Sequence, residues 1–217
     1  MSRLLIALLT FVAATSAAAQ AACSSDGVPQ PVAVLERFVN ADCDACWRDA
    51  AAPQPGRGEI ALDWIVPGAK GDDAPLSMGA TRDALERLQA LHRAVPERLD
   101  AVRTKRQGPA RALRVAHGQA FNDYVGASIE LKRGGKAGWD AWLLLVEQLP
   151  QGAEGSPVPR NLVRNAFRPD WPGPAAQRYE ARAMQIAEGA KVDHLRLVGL
   201  LFDARGRLAA ATISACR

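Results

Sequence analysis

Apolar and polar positions along this chain fall into short alternating runs separated by glycine and proline, with one stretch of helical spacing among them. Val32, Val34, Leu35, Phe38 and Val39 form an apolar run with β-branched residues, which predicts a buried strand. Asp42 stands where a helix N-cap is expected, directly before Cys43. Pro53, Pro55, Gly56 and Gly58 then force any such helix to be short. Ile60, Leu62, Trp64, Ile65 and Val66 predict a second strand, ended by Pro67-Gly68, and a polar loop runs on through Gly71, Asp72, Asp73 and Pro75. From Thr81, the spacing of Leu85, Leu88, Leu91 and Val95 predicts a helix. Leu99 and Val102 continue it, with Pro96 starting a second helix or kinking the first.

Beyond Gln107-Gly108-Pro109 the pattern turns to β. Strands are predicted at Leu113 to Val115, Tyr124 to Leu131, Trp139 to Val146, Asn161 to Phe167, Arg182 to Ile186 and Leu195 to Phe202. Asp203-Ala204-Arg205-Gly206 predicts a hairpin turn, with Leu208 to Ser214 as the returning strand. Gln151 to Pro159 is expected as a long, flexible loop. A βαβα order followed by strands alone predicts two lobes with a boundary near Pro109: residues 28–109, then an antiparallel, sandwich-like β lobe over 110–217.

The first residues predict a targeting segment rather than part of the fold. Arg3 supplies a positive start, Leu4 to Thr15 is apolar, and Ala19-Gln20-Ala21 has the small-residue form of a cleavage site. Residues 1–21 are therefore expected as a Sec-type signal peptide, which makes the chain periplasmic or secreted, with no transmembrane span in the mature form. Two alternatives stay open. The apolar run could be retained as an anchor, against its shortness. Cys23 could carry a lipid anchor, although Gln20-Ala21-Ala22-Cys23 lacks the usual leading leucine of such a box.

Charge adds little direction: 27 Lys and Arg against 23 Asp and Glu give a net charge of +4. The densest basic stretch is Arg98, Arg103, Lys105, Arg106, Arg111 and Arg114, with no aromatic residues interleaved. It reads as a solvated helix face, with an anion-binding patch or contact with an anionic membrane as the alternatives. No nucleic-acid partner is expected.

Cysteine carries the chemistry. Four are present, Cys23, Cys43, Cys46 and Cys216, an even count that fits pairing in an oxidising compartment. Cys43 and Cys46 are near enough to pair locally, which leaves Cys23 to Cys216. That second bridge would close nearly the whole chain and contribute about 4–5 kcal/mol by loop entropy. Lipidation of Cys23 would leave Cys216 odd.

A C-x-x-C between a strand and a helix is the layout of thioredoxin-like redox sites, so the first lobe is expected to be thioredoxin-like. Cys43 would be the nucleophile and Cys46 the resolving thiol, exchanging disulfides with a protein client and needing no bound cofactor. Asp42 and Asp44 flank Cys43 and disfavour a strongly stabilised thiolate. The cis-proline usual opposite such a site has only Pro96 and Pro109 as candidates. Two other readings stand beside exchange. In one, Cys43–Cys46 is a structural staple in a redox-silent binding module, with Trp47 shielding it or lining a peptide groove. In the other, Cys43 and Cys46 capture copper(I) with one distant histidine from among His92, His117 and His194. The chain has no G-x-S-x-G, Walker loop or H-E-x-x-H, and Gly134-Gly135-Lys136 reads as a turn.

The order of features resembles a family of bacterial secreted proteins of unknown function in which a thioredoxin-like part leads into a β-rich part. The matching pieces are Val34-Leu35-Glu36-Arg37-Phe38 leading to Cys43 and Cys46, then Asp63-Trp64. Asn161-Leu162-Val163-Arg164 with Trp171-Pro172-Gly173, and the closing strands Leu195 to Ser214, match further on. The chain departs from the family at Trp47, where a proline is usual, and at Asp44 and Ala45, where small polar residues are typical. The resemblance implies that architecture, and export.

Overall fold

A computed structural model describes residues 23–135, 138–171 and 174–216. The expected signal peptide at 1–21 lies outside the described residues, as do Pro172 and Gly173 of the second family segment. In chain order the elements are β1 (Cys23–Ser24), β2 (Ala33–Asn40), α1 (Asp44–Trp47), β3 (Glu59–Val66), α2 (Arg82–Ala90) and β4 (Leu99–Lys105). Then come β5 (Leu113–Phe121), β6 (Tyr124–Leu131), β7 (Asp140–Leu149), β8 (Arg160–Phe167), β9 (Arg178–Gln185), β10 (Leu195–Phe202), β11 (Leu208–Ile213) and β12 (Ala215–Cys216).

The strands make two sheets. The larger has the order β11-β10-β7-β8-β3-β2-β4 and the smaller β12-β1-β5-β6-β9. This corrects the expected thioredoxin-like βαβα lobe: the chain is mostly β, and the two α-helices do not build a lobe of their own. The parallel pair β2–β3 is present, but β3 continues the sheet into β8 instead of closing it. That seam has one register pair, Asp63 with Leu162. Asn161 reinforces it, its Nδ2 donating to the Ala61 carbonyl at 2.7 Å and its backbone N–H to Asp63 Oδ2 at 3.0 Å. Pro96 and Pro109 follow trans peptide bonds.

The sequence explains why the large sheet sits in the middle. In β7, Trp142, Leu144 and Val146 face one core with Ala84 and Leu88 of α2. Ala141, Leu143 and Leu145 face the other core with Leu113, Val115, Ile129 and Leu131 of the small sheet. A strand covered on both faces has no polar side, so its run is continuously apolar. β10 divides in the same way, with Val198 and Leu200 on one face and Leu195, Leu197 and Leu201 on the other. Gly199 lets the sheets approach, because a Cβ there would lie 2.8 Å from Val115 Cγ1.

α2 starts at Thr81 as the spacing predicts, the Thr81 hydroxyl accepting from the Ala84 N–H. The helix does not resume at Pro96. Residues 99–105 are an edge strand, antiparallel to β2 from Val39–Leu99 to Ala33–Lys105. Its Asp100, Arg103 and Lys105 give the charged character typical of a protected edge. The loop expected to be flexible at 151–159 is tied down, with Ser156 fully buried and its hydroxyl donating to the Val158 carbonyl at 2.8 Å. No helix among the described residues is long and apolar enough to cross a membrane.

Candidate functional site

Cys43 and Cys46 lie at the end of β2, where the sequence places them, and form a disulfide. α1 holds only four residues, Asp44–Trp47, and no side chain caps it. So short a helix contributes little dipole at Cys43. Asp42, expected as the cap, turns the other way. Its carboxylate accepts from the Ala69 N–H at 2.8 Å and, more weakly, from the Lys70 N–H at 3.3 Å. Gly68 makes room for it, since a Cβ there would lie 2.4 Å from the Asp42 carboxyl carbon.

Both sulfur-bearing residues are buried, Cys43 at 8% and Cys46 at 5% exposure, among Val39, Ile65, Leu149 and Leu162. Trp47 is buried beside them and donates its indole N–H to the Glu154 carbonyl at 2.9 Å. The cleft alongside, about 330 Å³, is lined by Trp47, Arg48, Met78 and Arg164, and neither cysteine lines it.

Against Trp47 lies a buried ionic floor that sequence reasoning missed. Arg37 Nη2 donates to Asp63 Oδ2 at 2.8 Å, and Arg160 Nη1 to Asp63 Oδ1 at 3.0 Å, all three side chains being fully enclosed. Arg160 also donates to the Trp47 carbonyl at 2.8 Å and to Ser156 Oγ at 2.8 Å, and stacks on the Trp47 ring at 4.6 Å. Burial lowers the Arg160 pKa, helped by Arg37 and opposed by Asp63. The floor thus joins the C-x-x-C turn to β2, β3 and the 151–159 loop. The one signal for it in the sequence is charge inside apolar strands, at Arg37 and Asp63.

The second expected bridge, Cys23–Cys216, is also formed. β1 lies between β12 and β5, so Cys23 pairs in register with Cys216 on one side and His117 on the other. Cys23 and His117 are buried, whereas Cys216 is exposed. Among the described residues, this trio is the one group of three or more His, Cys, Asp or Glu whose ligand atoms converge, all within 4.8 Å. His92 and His194 join no such group with Cys43 and Cys46.

The basic stretch does not form a helix face. Arg103 pairs with Glu59 at 3.0 Å and Arg114 with Asp26 at 2.8 Å, both from strands. Arg111 instead lines an open cleft of about 740 Å³ with Arg133, Trp139, Asp203, Arg205 and Arg207. Arg207 is neutralised by Asp203 at 2.6 Å, and that bond holds the Asp203 pKa down at about 2. Arg111 stacks over Trp139 at 5.3 Å, and the Trp139 indole donates to the Gly134 carbonyl at 2.7 Å. Among the described residues, Arg111, Arg133 and Arg205 meet no carboxylate at ion-pair distance. The cleft draws on separate segments of the chain, at Arg111, 133–139, Ala176 and 203–207, so no local motif announces it.

No family model matches the chain, and no curated protein does either. Among solved structures it is similar to wild-type OgpA from Akkermansia muciniphila, at 11% identity and a TM-score of 0.36, over 63% of this chain. This chain spans only 36% of that one. A likeness at this level defines neither fold nor function here.

Proposed function

We propose that this chain is an exported, redox-silent binding protein that holds an oxyanion-bearing ligand, such as an acidic oligosaccharide, in the arginine cleft. One observation carries the reading: three guanidinium groups without carboxylate partners among the described residues surround an open cleft beside an indole ring. Guanidinium forks match carboxylate, sulfate and phosphate oxygens two at a time, and the Trp139 ring beneath Arg111 holds that guanidinium in place. Two disulfides fit an oxidising compartment, which supports export. Titration with a sulfated oligosaccharide and with an uncharged one of equal length tests this. Salt-sensitive binding of the charged ligand alone is expected, weakened roughly tenfold or more in Arg133→Ala and Arg205→Ala, on the scale of one lost charged hydrogen bond. Equal binding of both sugars, or none, overturns it.

Thiol–disulfide exchange with a protein client through Cys43 and Cys46 is the second reading, favoured by their position between a strand and a helix. The burial of both sulfurs and their absence from the neighbouring cleft favour a staple instead. A reduction potential of roughly −120 to −270 mV supports exchange, and one below about −300 mV supports the staple.

A further inference from the structure

We infer that reduction of the Cys23–Cys216 bridge converts it into a copper(I) site in which both thiolates and His117 Nε2 are the ligands. The three donor atoms already lie within 4.8 Å of one another. His117 Nδ1 is 2.9 Å from the Gly118 carbonyl, a contact that a protonated Nδ1 makes as a donor. The remaining lone pair is then on Nε2, which is buried and meets no hydrogen-bond partner at bonding geometry among the described residues, although the Leu195 carbonyl also lies close to the ring. This is how metal-binding histidines are usually set, the far nitrogen fixed by a carbonyl and the near one free.

The chemistry balances with a dithiol as reductant. It supplies two electrons and two protons, the Sγ–Sγ bond breaks, two thiols form, and the dithiol leaves as its own disulfide. Copper(I) then displaces the two thiol protons to solvent, while the imidazole keeps its proton on Nδ1. Two thiolates and one imidazole are a soft donor set suited to copper(I). Exposure of Cys216 gives the reductant access and lets this residue, on the two-residue edge strand β12, swing to open the site. The metal then closes the same long loop that the disulfide closed, so the closure survives reduction. This copper site differs from the one expected at Cys43 and Cys46, because the histidine stands at the other bridge.

The test uses the purified protein, reduced with a phosphine, desalted without oxygen, and titrated with copper(I) buffered by a chromophoric chelator. Cysteines left unprotected are then alkylated and located by mass. The expected result is one copper(I) per chain, with Cys23 and Cys216 protected at least tenfold over the metal-free protein. Cys43→Ser/Cys46→Ser keeps this uptake, His117→Asn weakens it at least tenfold, and the oxidised protein shows none at this site. Protection confined to Cys43 and Cys46, affinity unchanged in His117→Asn, or no uptake at all overturns the inference. The alkylation pattern of the unmutated protein decides the matter even where a variant fails to fold.

Discussion

Asp63 holds two arginines that have no water to turn to. Arg37 and Arg160 are enclosed with it, and the trio carries a net positive charge inside the fold. Breaking a buried pair from one side leaves an uncompensated charge, which costs about 3–5 kcal/mol. Asp63→Asn should therefore lower the stability by about that amount, measured by urea unfolding with both disulfides intact. A loss under about 1 kcal/mol would show that water reaches the arginines. In the sequence, Asp63 reads only as part of a strand. Charges inside apolar strands were visible, but their partner Arg160 stands 97 positions further on, and nothing local links them.

At the scale of elements, the docking of α2 depends on a half-buried carboxylate. Asp83 Oδ2 accepts from the Ala166 N–H of β8 at 2.7 Å. Burial raises its pKa, the Ala166 bond opposes this, and Glu86 adds to the rise. Between its ordinary value of 3.8 and the raised one, the folded chain keeps a proton that the unfolded chain has lost. Through that window this group makes stability fall as pH rises. Asp83→Asn keeps an acceptor for Ala166 and should flatten that part of the stability profile in acid urea titrations, and an unchanged slope would refute the assignment.

Most elements were readable because their patterns are local: the strands β2, β3, β6, β7, β8, β10 and β11 and the start of α2 fall where the apolar runs predict. The sequence of β4 reads as helix because Leu99 and Val102 stand three apart. An edge strand with few buried positions offers too little alternation to compete with that spacing.

For the whole molecule, the two disulfides differ in weight. The Cys43–Cys46 loop is short, and loop entropy assigns it about 2 kcal/mol, against about 5 kcal/mol for the bridge spanning 193 positions. Cys216→Ser should thus destabilise the protein by more than twice as much as Cys46→Ser in denaturant titrations, with equal losses contradicting the entropic account. Both pairings were legible from the cysteine positions. The fold that contains them was not, because a C-x-x-C after a strand fits many architectures and the β3–β8 seam is a pairing across distant segments.

That seam also sets a timetable for biosynthesis. When β3 leaves the ribosome, the strand that will cover its open side is still about 100 codons from being translated, at a rate of roughly 5–20 residues per second. For several seconds the nascent chain carries a bare, apolar ribbon edge. A holding chaperone, or passage through a translocon while still unfolded, would keep that edge from pairing with another chain. By the same logic, premature termination anywhere before β8 yields a fragment that presents the edge permanently.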